Sequence, residues 1–208
     1  MDEWDYIETS VDMEIEEIFK YKPIHTLSDY ERRKVIFEHL TKTLEYDFDQ
    51  LEAIKTAQVE RKTLRRNPHI ELMSVINANY GICNGISQYY KLLLERIGIT
   101  AHCVVCDDGT EVNHQMVLVY NEDTDTYSFD DITSVIVGRG TVEEYFDYDL
   151  DGARRHGQGN KKIYEDRHFV VLPEEYINYV VERPQGPTKT IEYLPENIRS
   201  IKQKPSVK

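Results

Sequence analysis

The sequence predicts an α+β fold, with helices in the first half and an antiparallel sheet packed on them in the second. Two observations carry this. Apolar residues recur at helical spacing from about residue 28 to residue 97. Short β-branched and apolar runs separated by polar turns then take over.

Residues 1–24 read as an acidic, partly helical arm. In 28-SDYE-31, Ser28 and Glu31 have the spacing of a capping box. The helix it opens carries Val35, Ile36 and Leu40, with Lys and Arg between them. A second helix places Phe48, Leu51 and Ile54 on one face. Asn67-Pro68 starts a third, because proline suits the first helical turn; it holds Ile70, Met73 and Ile76, and NANYG ends it. The fourth lies in 81-GICNGISQYYKLLLERIG-98. Its buried stripe is Ile86, Tyr89, Tyr90, Leu93, Leu94 and Ile97, and Gly98 is its stop.

The strands are 99-ITAHCVVC-106, 115-QMVLVY-120, 126-TYSFD-130 and 167-RHFVVL-172, with NEDTD as the turn between the second and third. The glycine-rich 151-DGARRHGQGN-160 reads as a loop, either a lid or a solvated insertion, with His156 in it. His102 and His168 read as structural strand histidines, and Tyr145, Tyr148, Tyr176 and Tyr179 as core or groove packing. The expected organisation is a helical extension over 1–66 packed on a core over 67–183, followed by a surface or flexible tail over 184–208.

Composition narrows the function. Hydrophobic residues make up 40% and charged residues 30%, an ordinary globular balance. A net charge of -13 argues against a nucleic-acid backbone as partner. The acidic N-terminus has no signal-peptide pattern, and no apolar run reaches the ~18 residues that span a bilayer. A cytoplasmic protein with three reduced cysteines is therefore expected. Cys103-Val-Val-Cys106 has metal-like spacing, but in a strand residues three apart point to opposite faces, and no second Cys/His pair stands at finger distance. Core cysteines are the better reading, and no metal or organic cofactor is expected.

Cys83 is different. It stands between two glycines at the start of a helix, where unpaired N–H groups and the helix dipole favour a thiolate. Gly81 and Gly85 keep the surroundings small, as if for the backbone of a substrate. A nucleophilic thiol needs a base, and the base needs an orienting group. His114 opens the strand before QMVLVY, and Asp131 follows the next strand; a hairpin between the two brings them side by side. Taken singly, each has a plainer role: a buried cysteine, a strand-edge histidine, a turn-forming aspartate. Asp130 is the rival for the carboxylate, and Asn77, Asn79 and Tyr80 are candidates for a second oxyanion donor beside the Cys83 N–H.

GICNGISQYYKLLLERIGI, NHQMVLVY and SFDDIT together resemble the transglutaminase-like superfamily of papain-type cysteine enzymes. That family's pattern is Gly-x-Cys-x-Gly at a helix start, a Leu-rich helix ending in Gly-Ile, a strand, His-Ala-Trp, and then Asp-x-Thr. The resemblance spans roughly residues 68–135. It implies a papain-like fold with Cys83 as nucleophile, His114 as general base and acid, and Asp131 as the orienting carboxylate. Thr133 favours Asp131 over Asp130. The implied chemistry is acyl transfer or hydrolysis on a peptide or protein amide through a thioester: protease, deamidase or transglutaminase. The alternative is an inactive interaction module that kept the fold. Gln115-Met116 departs from the family's Ala-Trp, which implies a different acyl-binding wall. Substrate and oligomeric state are not legible.

Overall fold

In the computed structural model the described residues are 3–59, 68–106, 114–149, 152 and 169–171. The order is α1 (Glu3–Phe19), a 3-10 turn (Ile24–Thr26), α2 (Asp29–Thr43), β1 (Glu45–Tyr46), α3 (Phe48–Val59), α4 (Pro68–Ala78), β2 (Tyr80–Gly81), α5 (Cys83–Arg96), β3 (Ala101–Cys106), β4 (His114–Asn121), β5 (Thr126–Asp130), α6 (Ile132–Ile136), α7 (Val142–Tyr145) and β6 (Phe169–Val171). The α+β expectation agrees with this order. The main sheet runs β5-β4-β3-β6 with every neighbour antiparallel. The short parallel pair β1–β2 stands apart and was not expected.

Local signals hold where they are chemical. The Ser28–Glu31 capping box forms in both directions. Gly98 takes φ +85°, the left-handed stop that a glycine permits at least cost. Two predicted faces hold in part: Ile54 is buried and Met73 and Ile76 pack against the core. Ile70 and Phe48 are exposed, and α4 instead buries Leu72, Val75 and Glu71. The helices turn these residues inward because α4 packs along α5, an angle that periodicity does not carry.

α5 is the central helix. Tyr90, Leu93 and Leu94 share one apolar cluster with Ile7 and Val11 of α1, Ile36, Phe37 and Leu40 of α2, and Val117 and Leu118 of β4. The expected acidic arm is thus largely a packed helix. Its acidic residues pair with neighbouring helices: Asp12 with Arg96 at the surface, and Glu14 with His39 at 2.8 Å. Tyr145 and Tyr148 are core residues. Tyr176, Tyr179, His156, His168, the rest of the 151–160 loop and the 184–208 tail lie outside the described residues. Among the described residues, no helix is long and apolar enough to cross a membrane.

Candidate active site

Three elements converge on one imidazole. Cys83 is the first residue of α5, after an extended Ile82 at its N-cap. His114 is the first residue of β4, and Asp131 follows the last residue of β5 and caps α6. The β4–β5 hairpin pairs Val117 with Asp130. His114 Nε2 lies 2.8 Å from Asp131 Oδ2, and the ring also hydrogen-bonds the Cys83 side chain.

Burial alone would lower the His114 pKa. The Asp131 charge and hydrogen bond, with further help from Cys83, push it well above the ordinary histidine value instead. Asp131 moves the opposite way. Burial would raise it, but His114 and two hydrogen bonds from Ser134 hold its carboxyl below the usual range. Those bonds run from Ser134 N–H to Oδ1 (3.0 Å) and from Ser134 Oγ to Oδ2 (2.7 Å). Asp131 is therefore a helix cap and a histidine partner at once. Asp130 faces away, taking a hydrogen bond from Tyr90 Oη at 2.8 Å.

The first turn of α5 is seated by its neighbours. Ser87 Oγ donates to the Gln115 carbonyl at 3.1 Å, and Gln115 Nε2 donates to the Asn84 carbonyl at 3.4 Å. Gln115 thus ties the strand of His114 to the turn of Cys83. Met116 is buried under Tyr148, whose hydroxyl reaches its sulfur at 3.0 Å. Gln115 and Met116, which stand where the family has Ala-Trp, are both buried, with 5% and 3% exposure.

The reading of the glycines is corrected. A Cβ on Gly85 would fall inside contact distance of the Glu71 carbonyl oxygen, and one on Gly81 would lie 2.6 Å from Val75 Cγ2. What comes close to them is α4, packed against β2 at Gly81 and against α5 at Gly85.

The suggested oxyanion donors also lie elsewhere. Asn77 is exposed and accepts from Tyr6, Asn79 is exposed, and the Tyr80 side chain bonds Asp47. Tyr46 reaches the site instead. β1 pairs Tyr46 with Gly81, two residues before the cysteine, and the Tyr46 hydroxyl accepts from the Cys83 backbone N–H. Burial first, and the nearby Cys83 charge second, raise its pKa, so the phenol keeps its proton.

Cys83 itself is buried, at 7% exposure. Cys103 is a buried thiol, and desolvation pushes it up to about 12. The Cys106 side chain lies outside the described residues.

No family model and no curated protein matches the chain. A solved structure described as the crystal structure of a TGase is similar in fold. It superposes with a TM-score of 0.51 and 18% identity, over 66% of this chain and 34% of its own length. The chain thus spans about a third of that structure. The likeness concerns the fold alone.

Proposed function

We propose that the protein is a cysteine-dependent hydrolase or acyltransferase acting on peptide or protein amides, with Cys83 as nucleophile, His114 as base and acid, and Asp131 as the orienting carboxylate. The observation that carries this reading is the single imidazole held between Asp131 and Cys83.

The cycle begins with the proton on His114 and the negative charge on Cys83 Sγ. The thiolate attacks the amide carbonyl and forms the C–S bond. The carbonyl oxygen takes the electron pair and is held by the Cys83 N–H, with the Tyr46 hydroxyl as second donor. The oxyanion collapses, the C–N bond breaks, and His114 gives its proton to the leaving amine. A thioester remains. Water, deprotonated by the now neutral His114, attacks it and releases a carboxylic acid; an amine nucleophile gives a new amide instead. Asp131 keeps the ring in one tautomer and stabilises the imidazolium without taking its proton. No step needs a metal or organic cofactor. The cytoplasm is the compartment that suits the mechanism, since it keeps the thiol reduced.

The test is a labelling and trapping experiment. Iodoacetamide at neutral pH should modify Cys83 well before Cys103, and His114→Ala should slow that reaction. A glutamine-containing peptide should leave a thioester mass on Cys83 that is lost in Cys83→Ala. Equal labelling of all three thiols with no trapped thioester overturns the proposal and leaves an inactive binding module with this fold.

A further inference from the structure

Two aspartates stand in a row at the end of β5, and they face different partners. Asp131 meets His114. Asp130 turns into the core, where its side chain is fully buried. Tyr90 Oη donates to its Oδ2 at 2.8 Å, and the Asp147 N–H donates to its Oδ1 at 2.8 Å. Burial still pushes this carboxyl above its usual range, even beside a cation.

That cation is Arg33, from α2. Its Nε lies 3.2 Å from Asp130 Oδ2, angled as an ion pair rather than a hydrogen bond. Its other arm hydrogen-bonds Asp147 Oδ1, 114 residues further along the chain. The guanidinium lies 4.7 Å from the centre of the Phe146 ring and 5.8 Å from that of Tyr30. Lysine cannot copy a planar fork that spans two carboxylates and stacks on aromatic rings.

The clamped segment runs directly behind the site. Phe129 and Tyr148 exchange backbone hydrogen bonds of 2.8 and 3.1 Å, and the Asp131 N–H donates to the Tyr145 carbonyl at 2.9 Å. Between them Asp147 takes φ +55°, a left-handed conformation that costs a non-glycine residue energy and persists only when its surroundings hold it. Arg33 and Asp130 are those surroundings.

We propose that Arg33 is a positioning residue: by bridging Asp130 and Asp147 it locks the 145–148 turn against β5, and so fixes where Asp131 stands against His114. The N-terminal helices then belong to the catalytic unit. The effect on turnover rests on the function proposed above; the effect on the Asp131–His114 contact does not.

The test reads that contact directly, by NMR titration of the His114 ring in wild type, Arg33→Gln, Arg33→Lys and Asp147→Asn. The ring is faced by Asp131 from the α6 cap and Cys83 from α5. Around Asp131 stand Ser134, Tyr145 of α7, Tyr46 of β1 and, further out, the Arg139 charge near both tyrosines. No variant alters any of these.

Loosening Asp131 leaves burial to act on His114 with less opposition, so its midpoint should fall by about one pH unit, a tenfold change in its protonation equilibrium. Asparagine tolerates left-handed backbone, and Asp147 is partly exposed, so Asp147→Asn decides the matter where an Arg33 variant does not fold. In folded variants kcat should fall tenfold or more with KM held. A lower melting temperature with an unchanged His114 midpoint overturns the proposal and leaves Arg33 a purely structural residue. If wild-type Cys83 forms no acyl-enzyme, the function is wrong, and the NMR midpoint still decides the role of Arg33.

Discussion

Tyr46 illustrates what a single residue contributes and why spacing hides it. In the resting site its hydroxyl accepts from the Cys83 N–H, beside where a developing oxyanion would come to lie. Because the phenol stays protonated, it adds a donor there without adding charge. Tyr46→Phe should lower kcat on an amide substrate by roughly 10²-fold, the scale of losing one oxyanion donor. Its rate of Cys83 alkylation should match wild type, since alkylation builds no oxyanion. Steady-state assays beside iodoacetamide kinetics separate the two, and an equal loss in both would show that Tyr46 merely supports the cysteine. Cys83, His114 and Asp131 were legible because each carries a local signal: glycines at a helix start, a histidine opening an apolar strand, an aspartate before a threonine. Tyr46 reaches the site through a two-residue parallel pairing of β1 with β2. Such a bridge is too short to leave a periodic pattern. The place of Gln115 was not legible for a related reason. Its hydrogen bonds to α5 depend on how strand meets helix, which neither segment encodes alone.

At the level of elements, the contact that matters most for the cysteine is α4 against α5. Gly85 lets the two backbones approach until no Cβ fits between its Cα and the Glu71 carbonyl. A methyl group there must push backbone rather than a flexible side chain, and overpacking of this kind costs about 1–3 kcal/mol. Gly85→Ala should therefore lower the urea midpoint, despite alanine's better helix propensity. It should also slow Cys83 labelling, because the displaced turn is the one that begins with the cysteine. An unchanged urea midpoint would show that α4 yields without cost. The start of α2 and the stop of α5 were readable because capping chemistry is local: Ser28 with Glu31, and Gly98 at positive φ. The faces of α3 and α4 were readable only in part: Ile54, Met73 and Ile76 turn inward, but Phe48 and Ile70 are apolar yet exposed. Which face turns inward is decided by the neighbour, and here that neighbour follows in sequence but not in periodicity.

For the whole molecule, the same buried pair that serves the site also ties stability to pH. His114 titrates above its ordinary value in the folded protein. Its favourable contribution is therefore complete below the unfolded value of about 6.5 and is lost as pH rises through the folded value. Asp131 titrates below its ordinary value. Its contribution is complete above about 3.9 and is lost as pH falls through the folded value. Both are complete together only between about pH 4 and 6.5. The remaining carboxylates of this chain of net charge -13 also shape its stability curve. Their effect cancels when wild type is compared with His114→Gln at each pH, since glutamine lacks the charge and keeps a comparable size. The difference in unfolding free energy from urea titrations should be largest near pH 5, shrink toward pH 9 as the imidazolium is lost, and shrink toward pH 2 as Asp131 takes up its proton. A difference that stays flat across this range would mean that His114 and Asp131 carry no charge-dependent interaction in the folded state. Thiolate activation and stability would then have separate origins. A maximum near pH 5 ties them to one contact, which α5, the β4–β5 hairpin and the α6 cap assemble from three parts of the chain.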